Sequence, residues 1–178
     1  GKATGSDYFG VTPDIITCAK GLTNATIPMG ATIVQDYIYE SMLENADAPI
    51  ELFHGYTYSG HPVACAAALA TLDIYKEEGL FEHAGEQAPK IEKAAHSLKG
   101  TKHIIDIRNL GVIAALELEP RGNAVGARGF EVMKKAWDMG LMVRANGDTL
   151  AFSPPLIVQD SQIDEMFTTV KSALEQVD

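Results

Sequence analysis

Lys20 is the residue whose type and setting best suit covalent chemistry. It follows Ile15-Ile16-Thr17-Cys18-Ala19, a β-branched apolar run that reads as a buried strand, and it precedes Gly21. A lysine at the carboxyl end of such a strand stands where ligands bind in open α/β sheets. Partial desolvation there lowers an amine's pKa and lets it condense with a carbonyl as a Schiff base. By residue type alone, a lysine before a glycine is more often a solvated chain end. Other chemistries find less support. The five histidines, His54, His61, His83, His96 and His103, show no short helical pairing with each other or with Cys18 and Cys65, so no metal is expected. Gly122, Gly126 and Gly129 lack the strand-to-helix turn and Lys-Ser/Thr ending of a phosphate loop and read as flexible surface. Gly-x-Ser-x-Gly is absent.

The elements that must position these residues are legible from period and punctuation. After a loop over 1–12, strands are expected at Ile15–Ala19 and Ala31–Val34, then a helix from Asp36 to Glu44 and a loop from Asn45 to Pro49. The segment Phe53-His54-Gly55-Tyr56-Thr57-Tyr58-Ser59-Gly60-His61-Pro62 is too rich in glycine, hydroxyls and rings for regular structure, and Pro62 suits the first position of a helix running to Glu78. The alanines of that helix suggest burial. Phe81, Ala84, Ala88, Ile91, Ala95 and Leu98 mark another helix, with Pro89 costing about 3 kcal/mol unless the helix kinks or restarts. Beyond it, strands are expected at His103–Arg108, Val112–Leu118, Leu141–Arg144 and Thr149–Ser153. A helix through Phe130, Met133 and Trp137 separates the two pairs, and a last helix opens at Ser161-Gln162-Ile163-Asp164 with a capping side chain. The order ββαββα describes a compact α+β unit. Residues 1–78 hold too few strands to close a sheet, which sets the expected division at 1–78 and 79–178.

Across 178 residues, 24 acidic side chains against 14 basic ones give a net charge of −10, which repels nucleic acid and anionic membranes alike. The longest apolar stretch, Val63 to Tyr75, is interrupted by Thr71 and Asp73 and is too short for a bilayer span. Two cysteines in apolar surroundings read as buried free thiols in the cytoplasm. The opening Gly-Lys-Ala-Thr-Gly resembles the interior of a longer polypeptide.

Three segments carry a family likeness. Thr17-Cys18-Ala19-Lys20-Gly21-Leu22, Tyr56-Thr57-Tyr58-Ser59-Gly60-His61-Pro62, and Val143-Arg144 with Gly147-Asp148-Thr149 and Ser153-Pro154-Pro155-Leu156 resemble, in order and spacing, the class III aminotransferases that use pyridoxal phosphate. The likeness is nearest to the ω-amino acid:pyruvate branch and covers essentially the whole chain. It implies the C-terminal part of a fold type I α/β transferase: a remnant of the large cofactor-binding domain over 1–78 and a small α+β domain over 79–178. Lys20 is then the lysine that carries the cofactor as a Schiff base and shuttles the proton. Tyr56, through its N–H, and Thr57, through its hydroxyl, are cofactor-binding residues that reach the phosphate in the other subunit of a homodimer. Arg144 is the substrate-binding arginine that pairs with the keto acid carboxylate and swings aside for amines lacking one.

The same resemblance places the glycine loop that cups the phosphate, the aromatic over the cofactor ring and the acid at the pyridinium nitrogen upstream of Gly1. The isolated chain is therefore expected to be inactive without the preceding half. Small-molecule amino donors and keto acids are the expected partners. A 4-aminobutyrate-type aminotransferase or an aminomutase of the same fold is the nearest alternative, although those relatives usually carry Gly-Asn-Pro where this chain has Gly60-His61-Pro62. A noncatalytic α+β binding module is the alternative of a different class.

Overall fold

The computed structural model describes every residue except Ala48, Glu51, Phe53 and Gly55, so the irregular structure expected at Ala48, Phe53 and Gly55 lies outside the described residues. The chain divides into two compact units, Ala3–Gly79 and Leu80–Asp178, the second joined by Gly1–Lys2.

In the first unit, a short helix α1 (Gly5–Phe9) replaces part of the expected loop. Thr4 caps it by accepting the Asp7 N–H at 3.1 Å, and Gly10 ends it in the left-handed region. Strands β1 (Ile15–Ala19) and β2 (Gly30–Val34) form an antiparallel pair in the register Ile15↔Val34 to Ala19↔Gly30. The expected burial is not found. No residue of either strand is buried, and Ile15 and Ile33 are exposed, because two strands alone have no layer against which to close a core. Helix α2 (Asp36–Glu44) follows, and its Tyr37 hydroxyl donates to Asp14 at 2.8 Å ahead of β1. Helix α3 (Pro62–Glu77) starts with Pro62 in its first turn, as its fixed φ favours. It too is less buried than its alanines suggest: only Ala64, Ala68 and Thr71 are covered, while Val63, Leu69, Leu72 and Ile74 face outward. Cys18 and Cys65 are half-buried free thiols.

The second unit carries a core. Helix α4 (Leu80–His96) runs unbroken through Pro89, which lies on the exposed side. Strands β3 (Ile104–Leu110), β4 (Ile113–Leu118), β5 (Arg144–Asn146) and β6 (Thr149–Phe152) form an antiparallel sheet in the order β3-β4-β6-β5. Helices α5 (Ala127–Asp138) and α6 (Asp160–Leu174) complete the ββαββα order. Ile91, Leu116, Leu118, Val132, Leu150, Phe152, Ile163, Phe167 and Val170 are all within a few per cent of full burial in one cluster. Phe152 and Phe167 stack at 4.9 Å between centroids.

Three local expectations shift. Helix α5 begins at Ala127, so Gly129 is a buried helical residue and Gly126 its N-cap at φ 85°, not flexible surface. Strand β5 starts at Arg144 rather than ending there, because the two-residue Gly147-Asp148 turn lets Ala145 and Asn146 pair with Leu150 and Thr149. Helix α6 starts after Gln159, whose N–H donates to the Gln162 side chain at 2.9 Å, so the reciprocal cap lies before Ser161.

Candidate functional site

Lys20 opens a 3₁₀ turn, Lys20–Leu22, at the end of β1 and has φ 51°, in the left-handed region that a long side chain rarely occupies. Local hydrogen bonds hold it there. The Lys20 carbonyl accepts from the N–H groups of Thr23 at 3.3 Å and Ala25 at 3.0 Å. Thr23, 1% exposed, donates its hydroxyl to the Ile27 carbonyl at 2.7 Å, and Thr26 donates to the Thr23 carbonyl at 2.7 Å. From α3, the Tyr75 hydroxyl reaches the Gly21 carbonyl at 2.8 Å. The backbone of the turn is thus fixed while the Lys20 side chain is exposed, rather than desolvated as its position suggests, and its ammonium has no acceptor among the described residues.

Tyr56 and Thr57 belong to the same unit. Two successive turns, closed by Ser59 N–H to Tyr56 carbonyl at 3.1 Å and His61 N–H to Tyr58 carbonyl at 3.2 Å, project this segment before α3. The His54 and Tyr56 rings meet edge to face at 4.1 Å. Thr57 is exposed, and its hydroxyl has no hydrogen-bond partner among the described residues. No hydrogen bond joins Lys20 to Tyr56 or Thr57 among those residues.

Arg144 lies in the second unit, exposed at the first position of β5. Its guanidinium differs from the others of the chain. Arg108 pairs with Asp106 and Glu117, Arg121 with Glu131, and Arg128 donates to the Glu119 and Asp178 carbonyls, but Arg144 has no acceptor among the described residues. Concavities of 460 Å³, beside Lys90, Asp160 and Phe167, and 590 Å³, beside Met139, Pro155 and Met166, include none of Lys20, Thr57 or Arg144. No cluster of three metal-ligating side chains occurs among the described residues, and no helix there is long and apolar enough to cross a membrane.

Sequence reasoning left out the environment of Asp148. This residue is 7% exposed, and its carboxylate accepts from the N–H groups of Gly126 at 2.6 Å and Gly129 at 2.9 Å. The signal available was the pairing of Gly126 and Gly129 at the start of a helix with the Gly147-Asp148 turn, which only the tertiary structure connects.

The fold is shared with solved transaminases of fold type I. The chain matches the aminotransferase class-III family over residues 1–174, and it belongs to that family. It is 51% identical, over its whole length, to an omega-aminotransferase of Caulobacter vibrioides, and 44% identical, over 99% of its length, to a beta-alanine–pyruvate aminotransferase of Pseudomonas aeruginosa. In each case it covers 40% of the relative. The structure of an omega transaminase from Pseudomonas jessenii in complex with PMP superposes with a TM-score of 0.91 at 33% identity, covering 98% of this chain and 40% of that one. The chain therefore spans about 40% of the length of the relatives it matches.

The family is pyridoxal-phosphate dependent, and the donor set suits that group. A primary amine on a fixed turn, without an acceptor among the described residues, can take an aldehyde, and a hydroxyl with an adjacent N–H, without a partner among those residues, can take a phosphate without basic side chains.

Proposed function

We propose that this chain is the C-terminal portion of a longer aminotransferase that moves an amino group from an ω-amino acid or amine to pyruvate, with pyridoxal phosphate as cofactor. The observation that carries the reading is Lys20: an amine without an acceptor among the described residues, whose own backbone is held in the left-handed region by a hydrogen-bonded turn, in a chain of this family. Backbone strain of this kind persists where surrounding structure over-determines it, as at functional sites.

Pyridoxal phosphate, when bound, supplies the electron sink that makes the substrate C–H bond acidic. Lys20 would hold it covalently through Nζ, and the same Nζ, when free, would hold and move the proton. Thr57, through its hydroxyl, and Tyr56, through its N–H, would hold the phosphate of the partner subunit's cofactor in a homodimer. Arg144 orients a keto acid by two parallel hydrogen bonds to its carboxylate, and its lack of an acceptor among the described residues leaves it free to do so. Relatives named for pyruvate match at 44% and 43% identity, and a gamma aminobutyrate transaminase at 34%, which favours the ω-amino acid:pyruvate reading over a 4-aminobutyrate-type enzyme.

The test is reductive trapping. The complete polypeptide, incubated with pyridoxal phosphate and reduced with borohydride, is expected to carry the label on Lys20 in the peptide spanning β1, and Lys20→Ala is expected to abolish both label and turnover. A label on another lysine, or none, refutes the assignment.

A further inference from the structure

We propose that Asp148 and Gly129 form a clamp that positions Arg144 for a substrate carboxylate. The proposal rests on the carboxylate role of Arg144 and adds the device that sets where its guanidinium starts from.

Strand β5 is three residues long and pairs on one side only, with β6, in the register Arg144↔Ala151, Ala145↔Leu150 and Asn146↔Thr149. So short an edge strand has few ladder hydrogen bonds with which to hold a long side chain in place. The restraint comes from the hairpin tip. Asp148 directs Oδ2 to the Gly126 N–H and Oδ1 to the Gly129 N–H at the first turn of α5, where a carboxylate also meets the positive end of the helix dipole. Its carbonyl accepts from the Leu118 N–H at the end of β4, at 2.9 Å. One residue thereby ties the tip to a helix and to the central sheet.

The approach depends on residue 129 having no side chain. A Cβ there would overlap the Gly147 carbonyl oxygen and stand 2.9 Å from the Asp148 Cα. Helix α5 is in turn held by Arg128, 6% exposed, which donates to the Glu119 and Asp178 carbonyls. The base of Arg144 is thus rigid while its guanidinium has no acceptor among the described residues. That combination suits a group required to meet one carboxylate bidentately: less ordering is left for the moment of binding.

The test uses the complete enzyme with Asp148→Asn. Asparagine keeps one acceptor but turns an NH₂ toward the other amide, opposing donor to donor, so the tip opens without loss of volume. The KM for pyruvate is expected to rise on the order of ten-fold or more. The KM for benzylamine, which has no carboxyl group, and kcat at saturating substrates are expected to hold. In the Arg144→Ala background the same change is expected to add nothing toward pyruvate. Thermal melting checks that the variant folds, and Asp148→Ser, smaller and neutral, serves if it does not.

An unaltered pyruvate KM in a folded variant, equal losses for pyruvate and benzylamine, or a pyruvate loss that persists in the Arg144→Ala background each overturns the clamp and leaves the role of Arg144 standing. If Arg144→Ala itself fails to distinguish pyruvate from benzylamine, the carboxylate role falls and the clamp falls with it.

Discussion

Lys20 holds a left-handed backbone without the glycine or asparagine that usually occupies it, at φ 51°. A non-glycine residue there gives up roughly 1–2 kcal/mol. Glycine would recover this but lose about 0.5–1 kcal/mol to the greater freedom of its unfolded chain. The first effect is the larger, so in the cofactor-free complete enzyme Lys20→Gly is expected to be more stable than Lys20→Ala by up to about 1 kcal/mol. Both are expected to be inactive. Urea denaturation decides it: a glycine variant no more stable than the alanine variant means that position 20 is unstrained. The chemical type of this residue was readable from its motif, but its conformation was not. Nothing at position 20 signals φ > 0, which is imposed by the buried Thr23 and the hydroxyl bonds of Thr26 and Tyr75 around it. Arg144 shows the same division. Its residue type suggested carboxylate pairing once the motif was seen, whereas its lack of an acceptor among the described residues is visible only in three dimensions.

At the scale of elements, Gly129 sets two effects against each other. Alanine is the better helix former by about 1 kcal/mol. Its Cβ, however, would meet backbone atoms of Gly147 and Asp148, which cannot yield as a side-chain tip would, and separating the elements also breaks the Asp148 cap. Overpacking costs about 1–3 kcal/mol and a lost cap about 1 kcal/mol more. Gly129→Ala is therefore expected to destabilise residues 80–178 by about 2 kcal/mol, read as a lower urea midpoint with unchanged slope. A gain in stability would mean that the hairpin tip lies further from α5. Most elements were legible from sequence because their apolar period or turn chemistry was local: Asp36–Glu44 was placed to the residue, as was the end of β4 at Leu118. The failures share a cause. The start of α5, the register of β5 and the cap of α6 are each fixed by a partner distant in sequence or by a glutamine standing in for the usual Ser or Asp. The covered faces expected of β1 and α3 depend on surface that these 178 residues do not supply.

Over the molecule as a whole, burial is distributed unevenly between the two units. Every residue of the hydrophobic cluster belongs to Leu80–Asp178, whereas in Ala3–Gly79 the buried residues among those described are Thr23, Ala64, Ala68 and Thr71. The exposed Ile15, Ile33, Val63, Leu69, Leu72 and Ile74 put apolar side chains on both the strand pair and α3. A two-stranded sheet with one helix and so small a core does not offset the conformational entropy of ordering its backbone. In the proposed complete enzyme, the preceding half and the second subunit would cover these faces, so the turn that presents Lys20 is expected to be stably populated only in that setting. For the isolated 178-residue chain this yields a sharp contrast. Amides of β4, β6 and α6 are expected to show strong protection from hydrogen exchange, and those of β1, β2 and α3 little. Added pyridoxal phosphate is expected to leave that pattern unchanged, and no turnover of amine with pyruvate is expected. Protection of β1 and α3 comparable to that of β4 would show that Ala3–Gly79 is stable by itself, and the inactivity expected of the isolated chain would then need a cause other than an unformed Lys20 turn.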